Sequence, residues 1–265
     1  MAQEDLSCST SVMRRAILIM MQRAEGAERR SGKSMRALKK ALFLSLAAFV
    51  VSAGLLILSI EGYAAYTISV LKPEIAQPAK AFPQDIKEML WTELGYKPPL
   101  HIRPYYVSEV FLHTLLPQSG KPAFVGSYIP QRLTFTTLQK VAHCSDRDLA
   151  WAILSAWGSR AYQTDQAIDA FLHTVAFGFR THGLEEATGL YFGKSLDESN
   201  YSQRLTLIAL SQDPAGLNPY CHLTELQAHA SELDAKLRQL YPGRYDKEKY
   251  EVPELVEHKQ VRCGS

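Results

Sequence analysis

The residues of this chain able to do chemistry are scattered, and their spacing narrows what that chemistry is. The eight histidines, His101, His113, His143, His173, His182, His222, His229 and His258, contain no His-x-x-x-His pair and no His-Glu-x-x-His. No helix therefore offers two imidazoles to one ion, and no metal is expected. The cysteines Cys8, Cys144, Cys221 and Cys263 include no Cys-x-x-Cys, which leaves zinc and thioredoxin-type readings without support. Cys144 and Cys221 can bridge in an oxidising compartment, but their spacing alone does not show it. Gly193-Lys194-Ser195 lacks the rest of a phosphate loop, so no nucleotide cofactor is implied. Arg147 is a cation that suits either a phosphate or an ordinary surface ion pair.

The elements that must position such groups start with an anchor. From Ala41 to Ile60 no charged residue occurs, and the run is aliphatic all round. Twenty helical residues rise about 30 Å, the thickness of the hydrocarbon core. Lys39 and Lys40 flank it on one side, and Glu61, Tyr63 and Tyr66 on the other. The positive flank predicts a cytoplasmic N-terminus and an extracytoplasmic domain, with the membrane crossed once. A cleaved signal peptide is the main rival, but the apolar run and the basic region before it are both long for one. The shorter run Ala16–Met21 is too short to span. Before Ala41 there are nine basic residues against Glu4, Asp5, Glu25 and Glu28, although the whole chain carries only +2. Beside a span, such an arm points to lipid and topology rather than to nucleic acid.

The remaining pattern is helical. We expect a cytoplasmic arm over 1–40, a transmembrane helix over 41–62 and a proline-rich stalk over 63–100 with one short helix near Gln84–Leu94. A globular domain follows over 101–242, then a charged, mobile tail over 243–265. Helices are predicted over Pro104–Leu116, from Ser145, from Thr164, over Leu184–Phe192 with a stop at Gly193, from Ser199, and from Thr224 onward. Pro117 to Pro130 reads as a loop or lid. No alternating strand pattern emerges, and too little chain follows Leu240 for a second catalytic domain.

Asp169-Ala170-Phe171-Leu172-His173-Thr174-Val175-Ala176-Phe177-Gly178 resembles the peptidoglycan glycosyltransferases, glycosyltransferase family 51. That family reads Glu-x-Tyr-Leu-Asn-x-x-Tyr-Phe-Gly there. The likeness continues through Gly183-Leu184-Glu185-Glu186-Ala187, Tyr191-Phe192-Gly193-Lys194-Ser195, Ala209-Leu210-Ser211-Gln212-Asp213-Pro214 and Asn218-Pro219. It covers Arg147–Pro219 well and Ile102–His143 poorly. It implies a mainly α, lysozyme-like domain, contact with lipid II or a glycan strand, and cell-wall synthesis proteins as neighbours. The same aromatic residues also suit a core in any helical fold.

The acids of the family are missing. Glycan transfer needs a general base and help for the departing diphosphate. Ile102-Arg103-Pro104-Tyr105 matches the start of the helix that carries the family's Glu-Asp pair, and that pair falls on Thr114-Leu115. Neither acts as a base at neutral pH. Glu109 lies more than a turn upstream. Of the family's Gly-x-Ser-x-x-Thr-Gln-Gln, Thr136 and Gln139 survive. Its Arg-Lys-x-x-Glu falls on Arg147-Asp148-Leu149-Ala150-Trp151, which replaces a cation by an acid and an acid by an indole that fills the groove. His173 stands for the family's Asn.

No catalytic residue is therefore assigned. Thr136, Gln139, Arg147 and His173 are the candidate substrate-binding residues. The first reading is a pseudoenzyme that binds glycan, lipid II or a wall-synthesis protein. The second is an active transferase using Glu109, Asp169 or Glu185, although Asp169 fits an ordinary helix-surface or capping acid better. The third is a structural partner with an empty groove.

Overall fold

The uncharged run becomes the middle of one continuous helix, α1 (Ser34–Leu71). The computed structural model describes residues 34–115, 124, 126–134 and 147–257, and divides the chain into two units, 1–59 and 60–265. In the first unit, Leu42, Phe43, Phe49, Leu56 and Leu58 are 62–71% exposed. A helix packed in a soluble core would bury such residues. The hydroxyls of Ser45 and Ser59 return to the carbonyls of Leu42 and Leu55, which satisfies these two donors within the helix itself. α1 is long and apolar enough to cross a membrane.

The second unit is built from α2 (Gln84–Glu93), α3 (Val107–Leu115), α4 (Tyr128–Leu133), α5 (Arg147–Ala161), α6 (Thr164–Thr174), α7 (Leu184–Phe192), α8 (Tyr201–Leu210) and α9 (Leu223–Leu240). It is mainly α, as expected. Among the described residues the only extended pairing is one isolated bridge, Ala176 with His182.

α2 sits at the centre, packed on α6, α8 and α9. Ile86, Met89, Leu90 and Trp91 are fully buried and belong to the main core. The segment read as a stalk thus supplies a central helix, at the place where its one short helix was expected. Its charged residues disguise this role, because each buried one has a partner. Lys87 pairs with Asp169 at 3.0 Å, and Glu88 takes the Tyr245 hydroxyl at 2.6 Å and the Arg244 guanidinium at 2.9 Å. Buried charges persist when paired and hydrogen-bonded in this way.

The segment after Pro242, read as a mobile tail, is a strap along its described length. Tyr245 is 3% exposed. Arg238 donates to the carbonyls of Tyr245 and Glu248, the Glu251 amide donates to Ser202 Oγ, and the Val256 amide donates to the Tyr191 carbonyl. Here too the charges hid an apolar anchor, Tyr245, between them.

A smaller core joins the last turns of α1 to α3 and α5. Ala64 is buried among Tyr105, Val107, Phe124, Ala152 and Ala156. The alanines allow close approach of the backbones. Glu61 accepts from the Ser108 amide at 2.9 Å and the Ser108 hydroxyl at 2.8 Å. A carboxylate at the start of α3 satisfies amides that the helix leaves unpaired and lies at its positive end.

An aromatic cleft as candidate functional site

α6 starts at Thr164, with a capping box between Gln163 and Gln166 behind it. Its inward face, Ile168, Phe171 and Leu172, is buried, and the helix stops where Val175 turns extended. The chain then makes a tight return. The Thr181 amide donates to the Gly178 carbonyl, the Phe177 amide to the Thr181 carbonyl and the Gly183 amide to the Val175 carbonyl. Gly178, Phe179, Arg180 and Gly183 all have positive φ. The non-glycine residues among them hold a costly backbone that only surrounding contacts maintain. One such contact is the Tyr191 hydroxyl, which donates to the Phe177 carbonyl at 2.6 Å. Burial raises the Tyr191 pKa, so this phenol stays a donor.

This return forms one wall of a cleft of about 610 Å³, through Val175, Ala176 and His182. The end of α6 adds Phe171 and Thr174, α4 adds Tyr128, Arg132 and Leu133, and Ser211, Gln212 and Pro214 close it from beyond α8. Ile75 and Ala76 form the remaining edge. Two of the stretches that carry the family resemblance, 169–178 and 209–219, therefore meet in one cavity. Its lining is mostly apolar with aromatic faces and a few donors. The Arg132 guanidinium lies over the Tyr128 ring at 5.1 Å and donates from Nε to the Tyr128 hydroxyl at 2.9 Å. Among the described residues, none is a hydrogen-bond partner for the buried Gln212 Nε2. A buried donor left unpaired is costly, and a bound acceptor relieves that cost.

No aspartate or glutamate is among the described lining residues. The three carboxylates that the sequence offered as bases are elsewhere. Glu109 is held by Arg103 at 2.9 Å and by the Tyr106 amide at 3.3 Å. Asp169, 7% exposed, accepts from the Phe82 amide at 3.0 Å and from Lys87 at 3.0 Å. It is a tie between α6 and α2, and it is neither a surface acid nor a helix cap. Glu185 borders a separate cavity of about 230 Å³ with Lys80 and Asp197. Across residues 102–164 the sequence holds only three acids, Glu109, Asp146 and Asp148. Asp148 is exposed and Asp146 lies outside the described residues.

Of the candidate binding residues, Thr136 and Gln139 lie outside the described residues, as do the side chains of Arg147 and Thr114. His173 is half-buried in the last turn of α6 and does not line the cleft. Its carbonyl packs so closely on Gly183 that a Cβ there would sit 2.5 Å away. Trp151 is 38% exposed, so its indole does not plug this cleft as expected. Tyr128, Arg132 and Gln212 were missed by sequence reading. The available signal was Tyr128 four residues before Arg132, a spacing that places both on one helix face. It was masked by the prolines that made the region look like a loop. Among the described residues no three His, Cys, Asp or Glu side chains gather as metal ligands would.

Comparison with known proteins gives a consistent picture. Residues 114–238 match the sequence model of the Transglycosylase family. Penicillin-binding protein 1A of Aquifex aeolicus (strain VF5) is 25% identical over 63% of this chain and 21% of its own length. Penicillin-binding protein 1A of Rickettsia conorii is 31% identical over 31% of this chain and 10% of its own. Penicillin-binding protein 2D of Bacillus subtilis is 30% identical over 24% and 9% respectively. The chain thus spans about a fifth, or less, of the length of these relatives. With its mainly helical, lysozyme-like domain and its long apolar helix, the chain is similar to the transglycosylase family over residues 114–238.

Proposed function

We propose that this chain is a membrane-anchored, non-catalytic transglycosylase-like protein that binds a glycan or lipid-linked precursor during bacterial cell-wall assembly. The observation that carries the reading is the lining of the main cleft: aromatic faces and free donors, with no carboxylate among its described residues. Sugar rings stack on aromatic faces, and their hydroxyls or a diphosphate satisfy Gln212 Nε2 and the Arg132 guanidinium. A positioned general base is worth roughly 10²–10⁴-fold in rate, so a cleft without one holds such a ligand without transferring it. Glu109 and Asp169, two of the acids the sequence offered as bases, are engaged in structural pairs, which supports binding over turnover.

The domain is placed outside the cytoplasm in this reading, anchored by α1 with the basic arm inside. Cys221 is disulfide-bonded, and the other three cysteines lie outside the described residues. Disulfides persist in oxidising compartments, which supports that orientation.

The test is a lipid II polymerisation assay with the purified full chain in detergent, beside direct binding of lipid II. The expected result is saturable binding with no polymer, with binding weakened by Arg132→Gln. Polymer formation abolished by Glu109→Gln would overturn the proposal and establish a divergent active transferase. Absence of both binding and polymer would leave only the structural-partner reading.

A further inference from the structure

A second cavity, of about 560 Å³, lies between the last turns of α1 and α5. We propose that it binds the headgroup and upper acyl chain of an anionic phospholipid from the bilayer that holds α1. Three observations carry this, and none involves the main cleft.

The first is position. On α1 the cavity is lined by Glu61, Ala64, Ala65 and Ile68, the first two turns beyond the apolar run that ends at Ile60. At 1.5 Å per residue they stand roughly 2–12 Å past the end of that run, the depth of the headgroup layer and just above it. Tyr63 and Tyr66, 53% and 67% exposed, occupy the same turns, as aromatic residues do at membrane interfaces.

The second is shape and polarity. Ala64, Ala65 and Ile68 face Ile153 and Trp157 of α5 across the cavity. These side chains suit methylene groups.

The third is charge. The one base in the lining is Arg160, whose guanidinium lies 4.6 Å from the centroid of the Tyr106 ring. Its Nε donates to the Ala156 carbonyl, and among the described residues no carboxylate pairs with it. The one acid in the lining, Glu61, is already engaged by Ser108 at the start of α3, where the helix end offsets its charge. Among the described residues the cavity thus combines a cation that no carboxylate pairs with and an apolar lining. A lipid phosphate with a chain below it matches both, whereas a zwitterionic headgroup brings its own cation to Arg160.

The experiment places the full chain, carrying Trp151→Phe, in lipid nanodiscs. Its remaining indoles are Trp157 in the cavity and Trp91, which is fully buried. Phosphatidylglycerol or phosphatidylcholine with brominated acyl chains is titrated in at equal mole fraction, and quenching of Trp157 is read. The expected preference for phosphatidylglycerol is about fivefold, what one arginine near an anionic surface supplies. Arg160→Gln should bring the ratio to one, Arg160→Lys should keep most of it, and Ala65→Leu should reduce quenching by both lipids by filling the cavity. Equal quenching by the two lipids in the unaltered cavity, or a preference that survives Arg160→Gln in a chain with unchanged Tm, overturns the proposal.

Discussion

Removing the carboxylate of Asp169 tests whether the position where the family carries a glutamate has become part of the scaffold. Its Oδ1 accepts from the Phe82 amide and its Oδ2 from Lys87, each at 3.0 Å. The side chains of Lys87 and Asp169 are 6% and 9% exposed. Deleting one member of such a pair leaves a buried charge without compensation, at a cost on the order of 3–5 kcal/mol. The low end applies here, because Asp165, whose side chain is 67% exposed, stands 3.4 Å from the same ammonium and shields part of the loss. Asp169→Ala should therefore cost about 3 kcal/mol, which for a unit of this size lowers Tm by roughly 6–12 °C. Lys87→Met should cost a similar amount. The double variant Lys87→Met with Asp169→Asn keeps an acceptor for the Phe82 amide and removes both charges. It should fall within about 1 kcal/mol of the native chain, giving a coupling of several kcal/mol in the cycle closed by the single variants Lys87→Met and Asp169→Asn. The assay is thermal unfolding of the detergent-solubilised chain followed by circular dichroism. A drop below 2 °C for Asp169→Ala, with additive single variants, would refute the reasoning and return Asp169 to the list of acids available for chemistry.

Glu93 supplies a pH test. Burial raises its pKa above the ordinary 4.5, against the lowering effect of His229, whose Nε2 lies 2.7 Å from it. Between 4.5 and the raised value the folded chain keeps a proton that the unfolded chain has released, so this group's contribution to stability falls as pH rises through that window. The Tm of the native chain minus that of Glu93→Gln should accordingly decline from pH 4.5 upward; a difference that grows with pH would be wrong in sign. Two glycines give a paired test. Gly183→Ala puts a Cβ 2.5 Å from the His173 carbonyl at φ +85° and should cost about 3 kcal/mol, whereas Gly189→Ala, with open space around it inside α7, should stabilise by about 0.5–1 kcal/mol. Equal effects of the two in thermal unfolding would remove the steric account of the return.

Reading the sequence located elements whose ends carry local chemistry. α7 ends at Gly193, which is left-handed with φ 64°, because a stop signal acts within a few residues; α6 begins at Thr164, but its cap is Gln163, and the Thr164 hydroxyl accepts from the Ile102 amide instead. It failed where long-range partners decide. α2 and the strap after Pro242 both look solvated, since Lys87, Glu88 and Arg244 find their counterparts only across the fold. The candidate site divides in the same way. The stretches 169–178 and 209–219 announced themselves by resemblance, and they do meet in the cleft. Arg132 did not, and Gln212, although inside the second stretch, was not singled out, because the significance of both lies in what they face.

The strap also has a consequence for how the chain is made. Glu88 waits for Tyr245, 157 positions later in the order of synthesis. At the usual pace of translation the ribosome needs roughly 8–30 s to deliver that partner. Throughout the interval the central helix carries an acid that its finished surroundings would not tolerate unpaired, so the unit reaches its final packing only after Tyr245 has emerged.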